Sequence, residues 1–133
     1  FRLVHEVAVR FRDLDPMHHA HHSLPLMYLE EARARYWREV GGRDGVVAID
    51  YVMGELTIRW HRRITWPATL RAGARVTRLG TKSFDMEYGL WDAAGRLMAS
   101  GSSTQVMFDY EAGGSRPLDD ETRRRIEAFE GLG

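Results

Sequence analysis

The hydrophobic period of this chain changes once, early, and that change limits the folds open to it. From Val4 to Phe11 the residues alternate, with Val7, Val9 and Phe11 on one face and Glu6, Ala8, Arg10 and Arg12 on the other. That two-residue period is the mark of a half-buried strand. From Leu26 onward Leu29, Ala32, Tyr36, Trp37 and Val40 recur at steps of three and four, which is one apolar stripe of a helix. Glu30, Arg33, Arg35, Arg38 and Glu39 supply its polar side. Ser23 suits the N-cap, Pro25 suits a first turn whose N–H is unpaired anyway, and Gly41-Gly42 closes the helix. A helix of about 17 residues is expected.

Everything after Asp44-Gly45 reads as strand with turn punctuation. Val46–Arg63 is long, and Gly54 marks a bulge or break within it. Leu70–Leu79 places Leu70, Ala72, Ala74 and Val76 on one face; Ser83–Trp91 does the same with Phe84, Met86, Tyr88 and Leu90. Gly80-Thr81-Lys82 and Asp92-Ala93-Ala94-Gly95 are the turns, Arg96–Tyr110 is a last strand, and Asp119–Phe129 a short charged helix. One long helix cannot cover both faces of such a sheet. The simplest α+β solution wraps an antiparallel sheet around the helix as a single domain over residues 1–133. Exposed sheet edges then invite a second copy of the chain.

Composition removes several function classes. The hydrophobic share of 44% and charged share of 29% describe a globular chain. Nineteen basic residues balance nineteen acidic ones, so no overall field draws in nucleic acid or a membrane surface. Without cysteine there is no disulfide frame, no CxxC metal site and no thiol nucleophile. No apolar run approaches the ~18 residues that span a bilayer. Cytoplasm is the expected compartment.

Three clusters carry chemistry. Asp13-Leu14-Asp15 lies where a strand ends, shortly before a helix N-terminus whose free N–H groups favour developing negative charge. A carboxylate beside such a donor suits acyl transfer, with the acid attacking or activating water; both acids equally suit a plain turn. His18, His19, His21 and His22 fall within five residues. His19 and His22 with Asp15 make a conceivable metal set, against a solvated loop or histidines that bond substrate. His61, Arg62, Arg63, Arg78 and Lys82, with Ser83, form a basic set able to hold phosphates or simply to cover surface. On the helix, Glu30 with Arg33 and Glu31 with Arg35 have ion-pair spacing.

Taken together, Val9–His22, with Asp13-Leu14-Asp15-Pro16 at its heart, and Tyr28-Leu29-Glu30-Glu31-Ala32-Arg33 resemble the 4-hydroxybenzoyl-CoA thioesterase-like hotdog family, including its acyl-CoA thioesterase branch. Gly80–Phe84 and Asp92–Ser100 resemble that family's later turns. The resemblance implies a hotdog fold, an antiparallel β-sheet wrapped around one long central α-helix, and hydrolysis of an acyl-CoA. It implies Asp15 as nucleophile or general base, Asp13 as its supporting neighbour, and His22 as the position whose backbone N–H polarises the thioester. His19, Glu31, Arg78, Lys82 and Ser83 would contact substrate or CoA. It also implies no metal, no cofactor beyond the CoA of the substrate, and active sites shared between subunits of a dimer, often within a tetramer. The chain departs from the family at His18, where glycine is usual, and at His21 and Pro25. Those departures motivate a rival reading, a catalytically silent hotdog protein that binds acyl-CoA or serves in assembly. A histidine-loop metal protein and a hotdog dehydratase are further rivals.

Overall fold

A computed structural model describes residues 1–43 and 49–132. The expected Asp44-Gly45 turn and the first residues of the long strand, 46–48, lie outside the described residues. Strand β1 (Leu3–Ala8) leads through a single 3-10 turn at Phe11–Asp13 and a loop to helix α1 (Leu24–Glu39). Then come β2 (Tyr51–Trp60), β3 (Thr69–Leu79), β4 (Ser83–Trp91), β5 (Leu97–Asp109), the two-residue β6 (Gly114–Ser115) and helix α2 (Asp120–Glu130). Every pairing is antiparallel, in the order β1-β3-β4-β5-β2 with β6 beside β5.

The alternating strands bury the faces the sequence predicts. Leu70, Ala72, Ala74 and Val76 of β3 and Phe84, Met86, Tyr88 and Leu90 of β4 are all buried. Against them lies α1 through Tyr28, Leu29, Ala32, Tyr36 and Trp37, with Trp37 stacked on Phe84 at 5.0 Å. Bulky apolar residues at both faces of one interface make it the main source of burial energy. The helix is therefore the core around which the sheet wraps. Among the described residues no helix is long and apolar enough to cross a membrane.

Several boundaries differ from the expected ones. The first strand stops at Ala8, because the Asp13 carboxylate accepts the Arg10 N–H at 3.0 Å and closes a turn there. Phe11 is consequently exposed rather than inward. Ser23 sits at the N-cap of α1 but makes no side-chain cap bond; its hydroxyl lies 2.9 Å from His21 Nδ1 instead. The anticipated pairs Glu30–Arg33 and Glu31–Arg35 are absent among the described residues. Arg35 pairs with Glu39 at 3.2 Å, and Glu31 faces His5 at 3.6 Å. Gly54 does mark a bulge, with a register shift between Met53 and Glu55. Asp119 caps α2 by accepting the Thr122 N–H at 3.0 Å.

Candidate active site

The loop between the 3-10 turn and α1 is held by a near-complete set of backbone bonds. Asp15 N–H donates to the His19 carbonyl at 3.0 Å, Ala20 N–H to Ile64 at 2.7 Å and His21 N–H to Asp13 at 3.0 Å. Ser23 N–H reaches His21 Nδ1 at 3.2 Å, and Leu24 N–H reaches the His21 carbonyl at 2.9 Å. Between Ala20 and Leu24, only the His22 N–H finds no acceptor among the described residues. A free donor beside a helix start is what an oxyanion needs. The neighbouring peptide is pinned from another element, since Trp60 Nε1 on β2 donates to the His22 carbonyl at 2.9 Å. His18 takes a positive φ of 66°, a conformation that favours glycine.

The two acids separate clearly. Asp13 is buried and fully engaged. It accepts from the Arg10 N–H at 3.0 Å and the Tyr28 hydroxyl at 2.8 Å, and pairs with the Arg10 guanidinium at 3.0 Å. Burial alone would push its carboxyl up, but those hydrogen bonds and the guanidinium outweigh it and hold the group below its ordinary value. Burial, with the same contact, pushes the Tyr28 phenol well up. Asp15 is half-buried and half-engaged: one oxygen accepts the Met17 N–H at 2.9 Å, while the other meets no partner among the described residues. An anchored carboxylate with a free oxygen is oriented yet available.

Asp15, His19 and His22 line one hollow of about 370 Å³, together with Met17, Pro25, Trp60, His61, Arg62, Arg63 and Ile64. Asp13 stands behind this hollow as a support and does not line it. Glu31 is not in it; it lines a separate hollow of about 640 Å³ with Met27, Arg33, Tyr51 and Met53. Arg78, Lys82 and Ser83 sit at the β3–β4 turn, the far end of β3 from the loop. β3 starts at Thr69 beside Ala8, and Arg78 is nine residues further on, roughly 30 Å at about 3.3 Å per residue. Arg78 is also occupied, its Nε donating to Asp85 at 2.7 Å. Within one chain these residues do not join Asp15; only another subunit can bring them near it.

Two residues that support the site escaped sequence reasoning. Trp60 gave no signal beyond being an aromatic near a strand end. Tyr28 reads from the sequence as core, and nothing local shows that its hydroxyl reaches an acid fifteen residues earlier. Among the described residues no three His, Asp or Glu side chains stand where one metal ion could be held; the His21 and His22 rings instead lie 4.0 Å apart between centres, tilted by 36°.

An antiparallel sheet wrapped around one long helix is the hotdog-type arrangement. The chain belongs to the thioesterase superfamily, whose family model matches residues 17–99, and it is a thioester hydrolase of that family. The match starts two residues beyond Asp15, so it speaks for the fold and not for that residue. A thioesterase from Thermus thermophilus, solved with coenzyme A and zinc, is 30% identical, with a TM-score of 0.90 over 100% of this chain and 97% of that one. A thioesterase superfamily protein from Jannaschia sp. is 26% identical, with a TM-score of 0.84 over 94% and 90%. A DHNA-CoA thioesterase from Staphylococcus aureus, at 17% identity and a TM-score of 0.83 over 96% and 92%, shares the fold. No curated protein matches the chain.

Proposed function

We propose that this protein hydrolyses acyl-CoA thioesters, with Asp15 as the reacting carboxylate and the His22 backbone N–H as oxyanion donor. The observation that carries the reading is one hollow shared by Asp15 and His22, where one Asp15 oxygen and one backbone N–H are both uncommitted among the described residues. The carbonyl carbon is attacked either by the free Asp15 oxygen, giving an anhydride that water cleaves, or by a water that Asp15 deprotonates. In both routes negative charge grows on the carbonyl oxygen and the His22 N–H stabilises it. The CoA thiolate that leaves is protonated by solvent in the anhydride route, and in the other by the proton Asp15 took from water, which regenerates the Asp15 carboxylate. Both routes are written with water and these two groups alone. The coenzyme A held by the Thermus relative supports the same substrate class.

Shared sites within a homodimer or tetramer fit the exposed edge at β2. Met53, Leu56 and Trp60 on that strand are large apolar side chains left in solvent, and its outer edge has no partner strand among the described residues. Pairing with a second copy would cover both. The cysteine-free sequence fits the proposed cytoplasmic location.

A panel of acyl-CoA substrates with thiol release as readout tests the activity. Hydrolysis of at least one member, lost in Asp15→Asn, is expected. A verified substrate still turned over at full rate by Asp15→Asn would refute the assignment. The two routes separate in a single turnover in ¹⁸O-water, because only direct attack labels the Asp15 carboxylate.

A further inference from the structure

The two outermost strands of the sheet are not equally open. β1 is short, and along it the Val4 carbonyl accepts from the Arg35 guanidinium of α1 at 3.2 Å. β3 outruns β1 past Ala74. There the Val76 N–H donates to the Glu130 carboxylate of α2 at 2.9 Å, and the Tyr36 hydroxyl of α1 donates to the same carboxylate at 2.7 Å. Side chains from both helices therefore occupy that side of the sheet. β2, at the other side, has ten residues, and from Met53 to Trp60 all but Ile58 are exposed. Backbone groups along such an edge template a further strand.

The side chains of β2 suit a second copy of the same strand. Leu56, Ile58 and Trp60 share the inner face with their register partners Ser103, Gly101 and Ala99, while Glu55, Thr57 and Arg59 lie on the outer face with Thr104, Ser102 and Ser100. Opposed residues of an antiparallel pair point to one face, so a two-fold axis between two copies of β2 sets one residue against itself. With Glu55 or Arg59 on the axis, like charges meet. With Leu56 or Ile58 there, Glu55 and Arg59 do not meet each other. With Thr57 there, Glu55 of each copy lies opposite Arg59 of the other. Among the described residues neither Glu55 nor Arg59 is in an ion pair within the chain. Opposite charges directly across an antiparallel pair stabilise it and like charges destabilise it, which selects the third register.

We infer that two copies of this chain join β2 to β2 in the antiparallel register that sets Thr57 against Thr57 and Glu55 against Arg59. The register fixes what the second copy brings to the site. Trp60 and His61, which line the Asp15 hollow, come alongside the Met53–Glu55 bulge of the other copy, so that segment adjoins the hollow. The inference rests on the reading of sites shared between two copies and supplies the alignment of the two halves.

The cysteine-free sequence opens the register to disulfide trapping. Opposed residues have Cα atoms about 4.5–5.5 Å apart, within disulfide reach. Thr57→Cys, oxidised with diamide, should give a covalent dimer. Glu55→Cys alone should not, because its two copies would stand four residues apart along the pair, roughly 13 Å. The Glu55→Cys, Arg59→Cys double variant should cross-link again. In sedimentation equilibrium Glu55→Arg should weaken the dimer by about tenfold, with a smaller effect at high salt, and Glu55→Arg, Arg59→Glu should restore it. A dimer of Thr57→Cys that does not cross-link, or a double reversal no tighter than the single one, would overturn the register and leave the acyl-CoA reading standing. A wild type that sediments as a monomer at every concentration would instead remove the shared-site reading, and this inference with it.

Discussion

Replacing Tyr28 with phenylalanine removes one atom from the support of the site loop, and its consequence can be worked out from the structure. The hydroxyl donates to Asp13 Oδ2 at 2.8 Å, with Tyr28 2% and Asp13 3% exposed. No water can replace a donor in so closed a place, so the carboxylate keeps only its Arg10 contacts. A hydrogen bond to a charged group contributes about 1.5–3 kcal/mol. For a chain of this size that is a fall in Tm of roughly 5–10 °C. The pH dependence carries a sign. Asp13 is held below its ordinary value of 3.8, so its network stabilises the fold above that value, and the contribution is lost as pH falls through the folded pKa. Part of the depression is due to the Tyr28 hydroxyl. The stability gap between wild type and Tyr28→Phe should therefore be widest near neutral pH and shrink toward acid. Urea titrations from about pH 7 to about 2, through the depressed folded pKa, at one protomer concentration measure it. A gap below about 0.5 kcal/mol at neutral pH, or one that does not change with pH, would refute the network as described.

Three further outcomes are expected. His18→Gly should raise stability by about 1 kcal/mol in urea unfolding, because glycine relieves the cost of the 66° φ; a loss of that size would contradict the strained loop. Trp60→Phe removes the bond to the His22 carbonyl and should lower kcat roughly tenfold, about 1.4 kcal/mol, with the fold retained; unchanged kcat would show the loop needs no anchor. Gly101→Ala would put a Cβ 2.6 Å from the Thr57 carbonyl oxygen and should cost about 1–3 kcal/mol by forcing β2 off β5; a neutral result in thermal melts would count against the close approach of these strands.

The wrapped-sheet architecture was legible because its strands alternate strictly. β4 runs from Ser83 to Trp91 as expected, and the buried faces of β3 and β4 follow from period alone. The end of β1 was not, since alternation through Phe11 continues past the point where Asp13 folds back on Arg10. A competing side-chain bond decided that boundary. At the site, residue types and spacing brought Asp13, Asp15, His19 and His22 into view, but not their division of labour. Which acid is buried depends on Tyr28, fifteen residues away, and on a loop path that local pattern does not encode. The Trp60 bond to the His22 carbonyl depends on the end of β2 lying beside the loop, a long-range contact. Glu31 carried a plausible helix-face reading, and the structure puts it against His5 in a different hollow.

The central claim is that Asp15 acts chemically while Asp13 acts structurally. Asp15→Asn preserves the oxygen that accepts the Met17 N–H, so the loop should keep its shape. The direct measurement is kcat of Asp15→Asn on an acyl-CoA hydrolysed by the wild type, with CoA affinity measured alongside by calorimetry. A fall in kcat of about 1,000-fold, or about 4 kcal/mol in the barrier, with CoA affinity unchanged, is the expected result. A kcat within a few-fold of wild type would contradict it.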